Sequence, residues 1–181
     1  MKPTDQQKTI APRLVVYELQ IFFEYLKVLK DYARIDKPRD VCWNGALDGL
    51  HSHARNLLDF FEKPAHKRDG NAKNDDVLCE DFGFPCCELD GSDALRVRIN
   101  KKLSHLTYSR FDEVFRTLDL HEFEPLIERC KEFLASPEVN TFVERTAAIP
   151  DDESESRERR REAKVRWDQL RRVLGIADVG D

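Results

Sequence analysis

The sequence predicts an all-α fold, on three observations. Apolar residues recur at three- and four-residue spacing over long stretches, glycine and proline are sparse (7 and 8 among 181 residues), and no stretch reads convincingly as a strand. A chain of this length buries a sizeable core without disulfides or metals. The expected architecture is a helical bundle of four to five main helices over residues 1–149, with an appended charged C-terminal helix in 150–181.

The first helix is expected over Leu14 to Arg34, with Pro12 or Arg13 near its start. Leu19, Phe22, Leu26, Leu29 and Ala33 form one stripe, and Tyr17, Ile21, Tyr25, Val28 and Tyr32 form a second beside it. Two stripes predict burial on two sides, inside the bundle or at a dimer interface. Pro38 breaks the chain, and a second helix runs from Asp40 to Lys63, where Trp43, Leu47, Leu50, Ala54, Leu57, Leu58 and Phe61 share helical spacing. Asp93 is the expected N-cap of a third helix reaching about Tyr108 or beyond. Pro125 suits the first turn of a fourth, ending near Ala135, and Ser136 with Pro137 opens a shorter one to Ala147. Trp167, Leu170 and Leu174 share a face of the charged tail, which reads as a helix after a flexible joint.

Charge narrows the function classes. The net charge of -5 argues against non-specific coating of nucleic acid, though a local basic patch is compatible with it. The opening "MKPTDQQKTIAPR" lacks the apolar core of a signal peptide, and six polar residues interrupt the most hydrophobic run, Leu14 to Ala33. A cytoplasmic protein with no membrane span and reduced thiols is expected. The five cysteines include no CxxC pair, and the neighbouring Cys86 and Cys87 read as ordinary thiols before a redox or metal pair.

The stretch "RVRINKKLSHLTYSRF", Arg96 to Phe111, carries the strongest chemical signal. On a helix at about 100° per residue, Leu95, Ile99, Leu103 and Leu106 form the core stripe. Arg98 and His105, seven apart, lie one above the other at its flank, with Lys102 and Ser109 nearby. RNA carries its own nucleophile, the 2′-hydroxyl, so its cleavage needs a proton acceptor, a proton donor and a cation on the phosphate. Histidine serves either proton role near neutrality, and arginine matches phosphate oxygens with a charged fork. No metal or cofactor is required. One histidine per chain falls short of an acid–base pair, but a two-fold dimer supplies two.

The spacing from Arg98 to His105 resembles the R-x(4–6)-H motif of HEPN domains, and "HARNLLDFF", His53 to Phe61, extends the likeness loosely to an earlier amphipathic helix. The resemblance implies an all-α bundle over about Leu14 to Ala135. It further implies a metal-independent endoribonuclease of toxin–antitoxin or phage-defence type, acting as a homodimer on RNA. Arg98 then binds phosphate and His105 is the general acid–base, with Lys101, Lys102, Asn100 and Ser109 as nucleic-acid contacts. The residue after the arginine, usually polar in that family, is Ile99 here. The alternative is a non-catalytic helical interaction module, antitoxin-like or scaffold, with a protein partner.

Other residues read more plainly. A second match, Arg116 with His121, spans the faltering pattern before Pro125 and is set aside. His51 and His53, two apart on a helix, point away from each other, so one packs and one is solvated, with no zinc site between them. Arg55 and Asn56 read as ion-pair or hydrogen-bonding partners before phosphate contacts, and Tyr108 as a core-edge tyrosine. Asp76 and Glu80, at i, i+4, read as solvated carboxylates beside a cap at Asp75 before a cation site. The acidic stretch Asp75 to Asp93 is a candidate mask over the Arg96–Lys102 cluster. The basic, tryptophan-containing tail reads as an exposed helix laced with i, i+4 ion pairs, with RNA or a partner helix as its other occupants.

Overall fold

The computed structural model describes residues 4–34, 41–65, 76–103, 119–149 and 154–176. Its helices are α1 (Asp5–Arg34), α2 (Val41–Glu62), α3 (Ser92–Leu103), α4 (Glu124–Ala135), α5 (Pro137–Ala148) and α6 (Ser154–Val173), with 3₁₀ turns at Cys79–Phe82 and Leu120–Phe123. The fold is all-α, with no strand among the described residues. Two compact units divide it: one of Met1–Tyr17, Asp59–Cys87 and Glu128–Asp181, the other of Glu18–Leu58 and Glu88–Ile127. Long helices α1 and α2 contribute to both.

Helix α1 begins nine residues before the Leu14 start expected from its apolar stripe, and Pro12 lies inside it. The cause is a capping box. The Thr4 amide donates to Gln7 Oε1 at 2.8 Å, and the Gln7 amide donates to Thr4 Oγ1 at 3.2 Å. Both orphan donors are thereby satisfied at the helix start, and the turn they form propagates through Pro12. Leu19, Phe22, Leu26 and Leu29 are buried as expected. The second stripe is not: Tyr17 and Val28 are exposed, and Tyr25 and Tyr32 are half-buried. Among the described residues, the second stripe of α1 is therefore not buried as the first is.

The first unit is organised around Phe133 of α4, fully buried. Its ring lies 5.2 to 5.7 Å from those of Phe60, Phe61, Phe82, Phe84 and Trp167, each steeply inclined to it. Edge-to-face packing at this spacing adds to the burial energy. Trp167 brings α6 into this core, where its indole N–H donates to Asn140 Oδ1 at 2.9 Å. Asn140 in turn donates to the Leu134 and Ser136 carbonyls. Helix α6 packs along α5, and Arg160 donates to the Ile149 carbonyl at 3.1 Å, satisfying a group just past the end of α5. Packing thus joins α6 to α5 and to the Phe133 core. The exposed side of α6 does carry the expected i, i+4 pairs, Glu162 with Arg166 and Lys164 with Asp168.

The second unit buries Leu50, Ala54, Ile99 and Phe123. Tyr25 lies against Gly49, where an added Cβ would come 2.3 Å from the ring. The absent side chain is what allows α1 and α2 to approach here. Tyr25 also stacks on His53, whose Nδ1 meets Glu18 Oε2 at 2.7 Å, and Asn56 donates to the same oxygen.

Two stability predictions follow from these contacts. Phe133→Ala should cost about 3–5 kcal/mol in urea unfolding, as expected for a fully buried aromatic. Gly49→Ala should destabilise by about 1–3 kcal/mol despite alanine's better helix propensity, because the Tyr25 ring must move. An equal or higher midpoint for the alanine variant would mean that the ring yields without cost.

Candidate functional site

Arg98 reaches the flank of α3, as the helical spacing requires. Leu95 and Ile99 on its two sides are buried, and Val97 faces outward at 51% exposure. Ile99, the apolar residue after the arginine, is therefore a core residue of α3. The helix starts at Ser92, so Asp93 is not its N-cap but stands in the first turn, where its charge favours the positive helix end. Gly91 makes the preceding turn with φ +72°, a conformation that suits a residue without a side chain, and its carbonyl accepts the Leu95 amide at 3.0 Å.

The Arg98 guanidinium is engaged by a carboxylate. Its Nη1 lies 2.7 Å from Glu122 Oε1, with the two side chains 16% and 30% exposed. Glu122 belongs to the Leu120–Phe123 turn, which is held at both ends. Asp119 Oδ1 accepts the His121 amide at 3.0 Å, and Phe123 is fully buried, with its ring 6.3 Å from Phe22 and 6.0 Å from His51. Anchoring Phe123 inward turns His121 and Glu122 outward. Arg98, His121 and Glu122 then line a cavity of ≈ 550 Å³ with Asp90, Gly91, Asp93, Ala94, Leu95, Val97 and Pro125. One carboxylate, Glu122, contacts the guanidinium, and Asp90 and Asp93 add two more to the lining of the cavity.

His121 is 82% exposed, and its Nδ1 meets Glu124 Oε1 at 2.6 Å. The hydrogen bond to Glu124, reinforced by the charges of Glu124 and Asp119, raises the imidazole above its ordinary 6.5. Its spacing from Arg116 carries no site in the sequence, and the structure places the side chain at the cavity of Arg98.

Of the other sequence candidates, Lys101 is half-buried and Asn100 exposed on α3. Only the backbone of Lys102 is described, and His105, Ser109, Tyr108 and Arg116 lie outside the described residues, so the Arg98–His105 pairing does too. Asp90 and Asp93, at the end of the acidic stretch, line the same cavity, and the carboxylate on Arg98 comes from Glu122. Asp75 lies outside the described residues. His51 is buried, as expected of one of the two α2 histidines, but His53 is paired to Glu18 and not solvated. Asp76 meets Lys63 at 3.3 Å, and Glu80 accepts the Ala65 amide, so both carboxylates serve local structure. Arg129, not singled out in the sequence, lies 4.1 Å over the Phe84 ring and donates to the Pro85 carbonyl.

Among the described residues no three His, Cys, Asp or Glu side chains are grouped to hold a metal ion, and no helix is long and apolar enough to cross a membrane. All five cysteines are free thiols. Burial pushes the Cys79 thiol up to about 12 and raises Cys130 further, and burial with the Glu80 carboxylate raises Cys86. Raised thiols are poor nucleophiles. With an aromatic disulfide reagent near neutral pH, Cys42 and Cys87 should react in the folded protein, and Cys79 and Cys130 only after denaturant is added. Fast native-state labelling of Cys79 would show that its buried position opens readily.

Compared with known proteins, the chain has no significant match to a family model, a curated protein or a solved structure.

Proposed function

We propose that the protein is a cytoplasmic, HEPN-like, metal-independent endoribonuclease of toxin or defence type, working as a homodimer on RNA. Arg98 binds the phosphate, His105 is the general acid–base, and Lys101, Lys102, Asn100 and Ser109 contact the RNA. The observation that carries this reading is the Arg98 guanidinium, aligned on a carboxylate oxygen in a cavity large enough for a small ligand. Carboxylate and phosphate oxygens take the same charge-assisted hydrogen bonds from arginine. The Glu122 carboxylate thus occupies the kind of position a phosphodiester oxygen takes in this mechanism, and RNA binds by displacing it.

A second reading, a non-catalytic interaction module with a protein partner, is favoured by a different observation. Ile10, Leu14 and Tyr17 recur at helical spacing on α1 and are each about half exposed (48%, 51% and 48%). Exposed apolar stripes of this kind mark contact surfaces. The Glu122 carboxylate on Arg98 suits it as well, because it neutralises the guanidinium that catalysis needs.

Cleavage of single-stranded RNA in EDTA separates the two. On the ribonuclease reading, wild type cuts and Arg98→Ala and His105→Ala each lose activity at least about 10²-fold without unfolding. Glu122→Gln keeps the shape of the side chain, removes the competing charge, and should tighten RNA binding several-fold by fluorescence anisotropy. Equal RNA affinity for wild type, Arg98→Ala and Glu122→Gln, with no cutting by any of them, would leave the interaction module as the function.

A further inference from the structure

We propose that His121 is a second proton carrier of the Arg98 cavity, donating to the leaving oxygen during RNA cleavage, with Glu124 as its positioning residue. The inference rests on the ribonuclease reading above and adds to it a residue outside the Arg98–His105 spacing.

The need comes from proton balance. Transesterification of RNA removes a proton from the 2′-hydroxyl and supplies one to the departing 5′-oxygen, so it needs two groups in opposite states. One histidine per chain met this only through a second subunit. His121 lines the cavity into which Arg98 reaches, so it stands where a phosphate held by that guanidinium would be met. In the step itself, the 2′-oxygen bonds to phosphorus while the bond from phosphorus to the 5′-oxygen breaks. His105 takes the 2′-hydroxyl proton, and His121 gives its proton to the 5′-oxygen. The products are a 2′,3′-cyclic phosphate and a free 5′-hydroxyl, and water restores both histidines.

Three features suit His121 to the donor role. Its Nδ1 is tied to Glu124 Oε1 at 2.6 Å, which fixes the ring and leaves Nε2 for a substrate. Its backbone is set by the Asp119 cap and the buried Phe123, so the ring is presented from a rigid turn. Its protonated form persists to higher pH than that of an ordinary histidine, through the hydrogen bond to Glu124 and the charges of Glu124 and Asp119, which outweigh desolvation and the charge of Lys30. The other charged groups on the cavity are Asp90, Asp93 and Glu122, which favour the imidazolium, and Arg98, which opposes it.

The test compares two substrates with the full-length protein in EDTA: a labelled single-stranded RNA, and a uridine 3′-phosphodiester whose nitrophenolate leaving group departs without a proton. His121→Ala should lower kcat on RNA about 10²-fold or more with KM little changed, and cut the nitrophenyl ester at close to the wild-type rate. A general acid acts in its protonated form, so wild-type kcat should fall as pH rises through the His121 pKa. Glu124→Gln should move that fall to lower pH. The side chain is mostly exposed, so neither variant is expected to unfold. Wild-type kcat and pH profile in His121→Ala, with Arg98→Ala and His105→Ala inactive, would overturn the role of His121 and leave the ribonuclease reading standing. Equal loss on both substrates would also overturn the donor role. Failure of wild type to cut either substrate would overturn both.

Discussion

Phe133 is the side chain on which the first unit depends. Without disulfides, and with no metal cluster among the described residues, the segments around α4 are held by side-chain packing, and this ring is where they meet. Segment 76–87 has little regular structure of its own, and Phe82 and Phe84 attach it to that ring. Cys79 adds a weak hydrogen bond to the Phe61 carbonyl, and the Cys87 amide a normal one to the same oxygen. Helix α6 has a strongly polar composition, and isolated helices of this length are marginal in water. Trp167, buried against Phe133 and hydrogen-bonded to Asn140, gives it the tertiary contact that its surface ion pairs do not supply.

In the second unit the same principle positions polar groups. Ile99 faces inward on α3, and Arg98, one residue earlier, is thereby turned to the flank. Phe123 faces inward from its 3₁₀ turn, and His121 and Glu122 are turned out. The cavity is thus a by-product of two buried apolar anchors, each next in sequence to the polar residue it aims. Replacing either anchor by a polar side chain would disturb the site without touching a charged group.

The helices were largely legible because their apolar spacing is strong. Trp167 and Leu170 share a buried face as their spacing required, and Ser136 and Pro137 start α5 as their residue types required. The start of α1 is less legible, because Pro12 competes as a start signal with the Thr4–Gln7 box that caps the helix. The exposure of Tyr17 and Val28 was not legible, since a residue pattern states what is apolar and not what covers it. At the site, the placement of Arg98 beside buried Ile99 followed from helical periodicity. Glu122 and His121 were missed for a physical reason: a 3₁₀ turn has too few residues for a period, and the contact of Glu122 with Arg98 joins residues far apart in sequence. The Asp119 side chain, a turn former just before "LHEF", was the available hint.

The pairing of Arg98 with Glu122 constrains any chemistry in the cavity. An ion pair of this kind, partly removed from water, is costly to break when one partner is simply deleted, because the other charge stays behind with its desolvation unpaid. Exchange is different. A phosphodiester that takes the place of Glu122 replaces one charge-assisted contact with another, and Glu122, already 30% exposed, regains water as it leaves. The net gain from that exchange is small, and Asp90 and Asp93 oppose an incoming anion, a dianionic terminal phosphate more than a singly charged diester. Affinity must therefore come from other contacts made by the same ligand. The exposed side of Val97 and the ring of Pro125 offer an apolar surface in the same cavity. On the ribonuclease reading, this charge arrangement disfavours free phosphate and selects an internal linkage of a chain, whose neighbouring nucleotides supply the binding that Arg98 alone does not.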